Sequence, residues 1–411
     1  MKIALVWWHG KNSMPRFPLL PDPTDPPASL ALARARAITN HRQAGNEITY
    51  YWFYPFWTLA WFLSIQYDAK TGSLADWQRL GASPDIIIVI DLPRQKKVFD
   101  ELRASYPRSS FILVIAETPL ERHIQHDERN FRFFDAVITY DRSSKASYSS
   151  VYFYNLPFSF YRHSGDSEIS GSELKRANFC TFVGNPHTAG WRRNIQYELG
   201  LKGLPVLWQY QSGWAAPVNS AVLDEMHNGY QKRNKLLRIA SKSMGQQLLI
   251  HGKGWENIDS GWTRKLPRLR SMLSLSGMPV GIQLGNKDAI LRSSLFCLAC
   301  ENYTGNKYYL SEKVFDAMAA GCIPIYLGHP NALPAEVRNC IVDISHIPLR
   351  KRSGEGSLVS LFDELQRMSI EEISRRRSGC LAYIKSKYET DYGHHQFFEA
   401  VSAALHEIID S

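Results

Sequence analysis

The chain has 411 residues, a formal net charge of +9, 44% apolar residues and 21% charged ones. That length is too great for one ordinary core and suits two α/β domains, while the composition excludes a disordered chain. The positive charge draws anions, so nucleic acid, anionic membrane surfaces and nucleotide-sugar phosphates are the partner classes to separate.

Residues 3–7 read as a first β-strand rather than a signal peptide, because the apolar run is short and no small-residue cleavage site follows. No apolar run reaches the ~20 residues that span a bilayer. A cytoplasmic protein is therefore expected, with peripheral contact at the inner membrane face as a further reading. Trp8, His9 and Gly10 open a loop that continues through the proline-rich residues 15–27. Residues 30–43 have helical character, and 48–57 are aromatic and β-rich. Residues 85–90 give the clearest strand, followed by a helix over 97–106 and further buried strands over 110–116 and 134–139. Their unbroken apolar character predicts a parallel sheet covered on both faces. Residues 148–157 supply a last strand, and the polar stretch 164–173 reads as an interdomain linker. A second α/β block starts at 179–186. Residues 203–247 show no clear pattern, 248–254 read as a strand entering a glycine-containing turn, and 370–408 are largely helical.

Two basic clusters stand out, Lys232-Arg233-Asn234-Lys235 and Arg375-Arg376-Arg377. The second follows Glu371-Glu372 and reads as a solvated, mixed-charge helix face. Neither is accompanied by a nucleic-acid module or zinc spacing, so nucleic acid is not an expected partner. A basic docking face for a lipid-linked acceptor is the remaining functional reading. Cys297 and Cys300 share a Cys-x-x-Cys spacing, but on a buried strand this reads as packing rather than redox or metal chemistry.

Residues 296–328 are the most informative stretch. An apolar run over 296–300 ends at Glu301-Asn302, a loop with Gly305, Lys307 and three tyrosines follows, and Ser311 is placed to cap a helix. Val314, Phe315 and Met318 form the apolar face of that helix, Gly321 closes it, and 322–327 make the next strand. Lys313 sits in the first helical turn, where a cation opposes the helix dipole. It is either a solvated surface lysine or a partner for an anion docked on the free amides.

These residues resemble the donor-binding motif of the family 10 glycosyltransferases, the α1,3/α1,4-fucosyltransferases. The match runs through Cys300-Glu301-Asn302 (cysteine standing where the family has phenylalanine), Tyr309, Ser311-Glu312-Lys313 and residues 323–328. Outside this stretch it is sparse: an Asn185-Pro186 element followed by Arg193-Asn194, and Glu117-Thr118-Pro119 at a predicted strand end. The resemblance implies a GT-B fold, with two Rossmann-like domains facing a central cleft. Residues 1–165 would bind the acceptor, 175–385 the nucleotide sugar, and 386–411 would pack back on the first domain. It also implies inverting transfer of L-fucose from GDP-β-L-fucose to a saccharide hydroxyl, α1,3 on GlcNAc or glucose, for lipopolysaccharide or protein glycosylation. GDP-fucose is then a substrate and no cofactor is expected. A GT-B transferase using another GDP- or UDP-sugar, and a non-catalytic saccharide-binding protein of the same fold, stay open as alternatives.

Inverting transfer needs a base for the acceptor hydroxyl and positive groups for the departing diphosphate. The chain has no Asp-x-Asp triplet, which favours a route without metal. Glu117 is the chosen base, against an ordinary capping role before a helix over 120–129; Glu121, His126 and Asp127 compete with it. Lys313 and the amides of residues 311–313 suit the leaving group. From the resemblance, Glu312 would take the ribose hydroxyls, Tyr309 would flank the nucleotide, and Glu301 and Asn302 would hold the sugar or order the loop. The second cation on the diphosphate is assigned to Arg193, with Arg192 and Lys253 as alternatives. Trp8 and His9 are expected on the acceptor face.

Overall fold

The computed structural model describes residues 1–7, 56, 59–60, 62–93, 95–116, 123–143, 150–155, 176–184, 213–215, 220–252, 287–349 and 352–410. They belong to two α/β units. The first comprises Met1–Phe160, Leu204–Asn219 and Thr390–Ser411, and the second Tyr161–Gly203 and Ser220–Glu389. The segment Leu204–Asn219, which falls inside the second domain on the sequence reading, groups with the first unit.

The first unit holds strands β1 (Lys2–Trp7), β2 (Lys70–Ser73), β3 (Ile86–Ile90), β4 (Ser110–Ile115), β5 (Ala136–Thr139) and β6 (Val151–Phe153). They form one sheet in the order β2-β1-β3-β4-β5-β6, every pair parallel. All five residues of β3 are buried, as a central strand covered on both faces requires. The helix Lys96–Ser105 presents Phe99 to Phe111 of β4 and to Trp214, whose indole N–H donates to the Pro93 carbonyl at 2.9 Å. The helix His394–Asp410 covers β5 and β6. Its Phe397 meets Tyr154 and Phe56, Phe398 stacks on Phe62 at 4.7 Å, and Glu407 accepts hydrogen bonds from Ser150 and Tyr152.

The second unit holds β7 (Asn178–Val183), β8 (Leu248–His251), β9 (Ser294–Cys300), β10 (Ile323–Leu327) and β11 (Val342–Asp343). The order is β11-β10-β9-β7-β8, again all parallel. Numbered from its own first strand this is 2-1-3-4-5, the order that the first sheet follows and extends by one strand. In such doubly wound sheets the chain leaves in opposite directions from the first and third strands, and the crevice beyond their carboxyl ends receives ligands. In the second unit that point lies between β7 and β9.

One face of the second sheet buries Phe182, Phe296, Leu298 and Cys300 with Leu236, Leu237 and Phe362, from the helices Ser220–Met244 and Arg352–Gln366. The other face buries Cys297 with Leu291, Ala317, Ala320 and Cys322. Cys297 and Cys300 therefore lie on opposite faces and serve two cores, so their spacing creates no thiol pair. Two expectations are corrected here. The helix predicted over 120–129 is replaced, among the described residues, by two 3-10 turns, His123–His126 and Glu128–Phe133. Arg377 is no part of a solvated face: it is 1% exposed and its Nε donates to the Gly321 carbonyl at 2.8 Å, whereas Arg375 and Arg376 do pair with Glu372. Among the described residues no helix is long and apolar enough to cross a membrane.

Candidate functional site

The site is built where β9 empties into a loop, a helix and β10. The Glu301 N–H, the first beyond β9, donates to Leu327 O at 2.8 Å and extends the β9–β10 pairing by one step. The loop is packed: Tyr303 and Tyr309 are each 5% exposed with ring centroids 6.0 Å apart, and Thr304 is buried. Asn306 turns it, its side-chain oxygen accepting from Tyr308 N–H at 2.8 Å.

Ser311 caps the helix Glu312–Ala319, its hydroxyl accepting the Lys313 N–H at 3.5 Å. The other end closes in a Schellman arrangement, Gly321 N–H to Met318 O and Cys322 N–H to Ala317 O, both at 2.9 Å. Gly321 has φ +66, which suits glycine, and a Cβ there would come within 3.0 Å of the Arg176 guanidinium. Arg176 donates to Ala320 O and Arg377 to Gly321 O, so two arginines take the carbonyls at the negative end of the helix. The positive end faces the carboxyl edge of the sheet.

Three acidic and four basic side chains gather around that end. Glu301, 1% exposed, accepts the Ser311 N–H at 2.8 Å through Oε1; its Oε2 makes no hydrogen bond and lies 3.7 Å from Lys313 Nζ. Burial pushes the Glu301 carboxyl above its ordinary range, and Lys313 and Ser311 only partly oppose this. Lys313 Nζ also donates to Ser311 Oγ at 3.0 Å. Lys287 Nζ bonds Asp316 at 2.5 Å and lies 3.9 Å from Glu312. For Glu312 burial acts upward, but Lys313, Lys287 and its own backbone N–H outweigh it and hold the carboxyl below its usual range. Lys232 Nζ donates to Thr304 Oγ1 at 3.2 Å, and the buried Arg233 guanidinium stands 5.7 Å from the Phe182 ring on β7. An anion meeting this edge finds a helix N-terminus, a capping hydroxyl and lysines to pair with.

Of the residues expected from sequence, the structure brings Glu301, Asn302, Tyr309, Ser311, Glu312 and Lys313 together, Asn302 half-buried beside Glu301. Trp8, His9, Glu117, Arg192, Arg193 and Lys253 lie outside the described residues. Among the rivals to Glu117, Asp127 caps a 3-10 turn and holds Arg129 at 2.6 Å; burial acts upward on its carboxyl, but Arg129 wins and keeps it ionised. His126 packs its ring edge near Tyr140. Lys232, Arg233, Lys287 and Asp316 join the site without having been singled out for it. Lys232 and Arg233 were visible as a basic cluster, and Asp316 sits one turn on from Glu312 and Lys313. Lys287 carries no local signal.

No protein-family model matches the chain, and no curated protein matches it significantly. Among solved structures, an α1,3-fucosyltransferase is similar at 15% identity and TM-score 0.44, over 100% of this chain and 90% of that one. Anabaena HepE in complex with UDP and glucose is similar at 11% identity and TM-score 0.47, over 99% and 100%. An α,α-trehalose-phosphate synthase (UDP-forming) from Burkholderia vietnamiensis gives 11% identity and TM-score 0.42, over 86% and 80%.

Proposed function

We propose that this protein is a GT-B glycosyltransferase that moves a sugar, with inversion and without metal, from a nucleoside diphosphate to a saccharide hydroxyl. The observation that carries this reading is the serine-capped first turn of Glu312–Ala319 at the carboxyl edge of the second sheet, with Lys313 on the cap hydroxyl and a buried carboxylate behind it. The diphosphate docks on Lys313 and on the amides of residues 311–313. It displaces Glu301 from the Ser311 N–H, Ser311 Oγ from the Lys313 N–H and the Glu312 carboxyl from its own N–H, and replaces the long Lys313–Glu301 contact with a shorter one to phosphate oxygen. Glu312, kept ionised by its two lysines, accepts the ribose hydroxyls, where a carboxylate takes two hydrogen bonds. Tyr309, packed on Tyr303, backs the loop against the nucleotide, and Glu301 and Asn302 order it. Arg193 supplies the second cation on the diphosphate, with Arg192 and Lys253 as the alternatives. Glu117 takes the acceptor proton as the oxocarbenium character of the sugar develops, and Trp8 and His9 face the acceptor.

The motif over residues 300–328 makes GDP-β-L-fucose the proposed donor, and GlcNAc or glucose, linked α1,3, the proposed acceptor. A bacterial-type cytoplasmic enzyme working at the membrane face on a lipid-linked glycan fits the charge of +9. Thermal unfolding with GDP, UDP, CMP and ADP in parallel tests the donor. A ligand at 100 times its dissociation constant adds about 2.7 kcal/mol. GDP alone should stabilise the wild type and leave Lys313→Ala unmoved, and transfer from GDP-fucose should then be detectable on a saccharide panel. A response to UDP alone overturns the fucose assignment, and silence with every nucleotide overturns the transferase reading.

A further inference from the structure

At the carboxyl edge of the first sheet a single peptide group is gripped from both sides. The bond joining Ile115 to Ala116, where β4 ends, has its carbonyl bound by the Tyr154 hydroxyl at 2.7 Å and its N–H bound by Asp91 Oδ1 at 2.9 Å. Asp91 follows β3 directly, and its own N–H donates back to Val114 O at 2.8 Å. Gln125 completes the arrangement: its Nε2 donates to Asp91 Oδ1 at 2.9 Å and its Oε1 accepts the Leu92 N–H at 3.1 Å. Asp91, Gln125 and Tyr154 are all 0% exposed.

Asp91 adopts φ +58, one of two non-glycine residues with positive φ among those described. Such a conformation is costly and persists only where the surroundings over-determine it; strain of this kind gathers at functional sites. A glycine would relax it at no steric cost, yet only a side chain with an oxygen acceptor can take the Ala116 N–H. A buried acid and phenol meeting on one peptide unit, with a buried amide bracing the acid, do more than end a strand. They fix where the chain leaves the sheet, at the residue before Glu117.

We propose that Asp91 and Tyr154, braced by Gln125, are positioning residues that hold the exit of β4 for acid–base chemistry at Glu117. The inference rests on the proposed transferase reading, in which Glu117 is the base. General-base geometry tolerates little error, since a displacement of about 1 Å can cost on the order of a hundredfold in rate. Asp91→Gly suits the test because glycine accepts the same backbone conformation. It removes the carboxylate oxygen that takes both the Ala116 N–H and the Gln125 Nε2–H. Tyr154→Phe removes only the hydroxyl.

Transfer from GDP-fucose, GDP affinity, thermal unfolding and amide hydrogen exchange at Ala116 would be measured for wild type, Asp91→Gly, Tyr154→Phe, the double variant and Glu117→Gln. The expected result is a fall in kcat of about tenfold or more for each clamp variant. The donor KM should stay within about twofold, the acidic limb of the pH–rate profile should move, and exchange at Ala116 should be faster in Asp91→Gly. Because both side chains act on one peptide group, the double variant should lose less than the product of the two single losses. Clamp variants that melt earlier but keep wild-type kcat and pH profile per GDP-binding protein overturn the proposal, and Glu117→Gln inactive beside them leaves the transferase reading standing. Wild type active with an active Glu117→Gln removes Glu117 as base and the clamp's role with it. An inactive wild type overturns both.

Discussion

Glu301 shows how a single residue can link stability to the site. Its carboxyl is buried, one oxygen takes the Ser311 amide, and the other has only Lys313 at 3.7 Å. Burial raises its pKa in the folded protein. The folded state therefore holds this proton more tightly than the unfolded chain does, and stability from this group is greatest below the ordinary carboxylate range. It is lost as pH rises through the unfolded value and on through the raised folded value. Glu301→Gln keeps an acceptor for the Ser311 N–H and removes the titration. The stability of the glutamine variant relative to wild type should accordingly climb from acid pH upward and level off once Glu301 has ionised. Denaturant midpoints across a pH series measure this, and a difference independent of pH would show that the charge at 301 is not the quantity that matters.

The helix Glu312–Ala319 owes its placement to its two ends. Ser311 caps one, and Arg176 and Arg377 take the carbonyls of Ala320 and Gly321 at the other. Hydrogen bonds from a charged donor contribute about 1.5–3 kcal/mol, and an orphaned buried carbonyl adds to the loss. Arg377→Met should therefore lower stability by about 2 kcal/mol in denaturant unfolding. Arg375→Met, on the exposed side of the same helix Ile370–Ser386, should leave the denaturant midpoint close to that of the wild type. Equal effects would mean that the buried arginine does not brace the helix. The strand–loop–helix–strand unit itself is legible in the sequence because its signals are local: an apolar run, a serine cap, a helical stripe and a closing glycine. The buried helices and strands with unbroken apolar runs are legible for the same reason. The helix Ser220–Met244 is not, since Asn228, Gly229 and Asn234 interrupt its pattern and its apolar residues declare themselves only against the sheet. Strands β2 and β11 are too short to carry a period. The Lys287–Asp316 pair and the Asp91–Ala116 bond join residues far apart in sequence, and only the folded chain brings them together.

At the scale of the molecule the chain passes between its units four times, since the first is assembled from Met1–Phe160, Leu204–Asn219 and Thr390–Ser411. The last piece is not an appendage. Phe397, Phe398, Val401, Ala404 and Leu405 are all at most 5% exposed, and the helix carrying them covers β5 and β6. At about 1.5–3 kcal/mol for each large apolar side chain buried, their removal costs on the order of the whole net stability of a domain, about 5–15 kcal/mol. A chain ending at Glu389 should thus lose the first unit, with protease cutting inside residues 86–115 that the full chain protects. The second unit keeps its five strands and both arginines that brace the helix Glu312–Ala319, so on the proposed function GDP should still stabilise what remains while transfer is lost with the first unit. Protection of 86–115 in the truncated chain would show that the final helix is dispensable to the first core. Loss of the GDP response would show instead that the second unit cannot fold without the first.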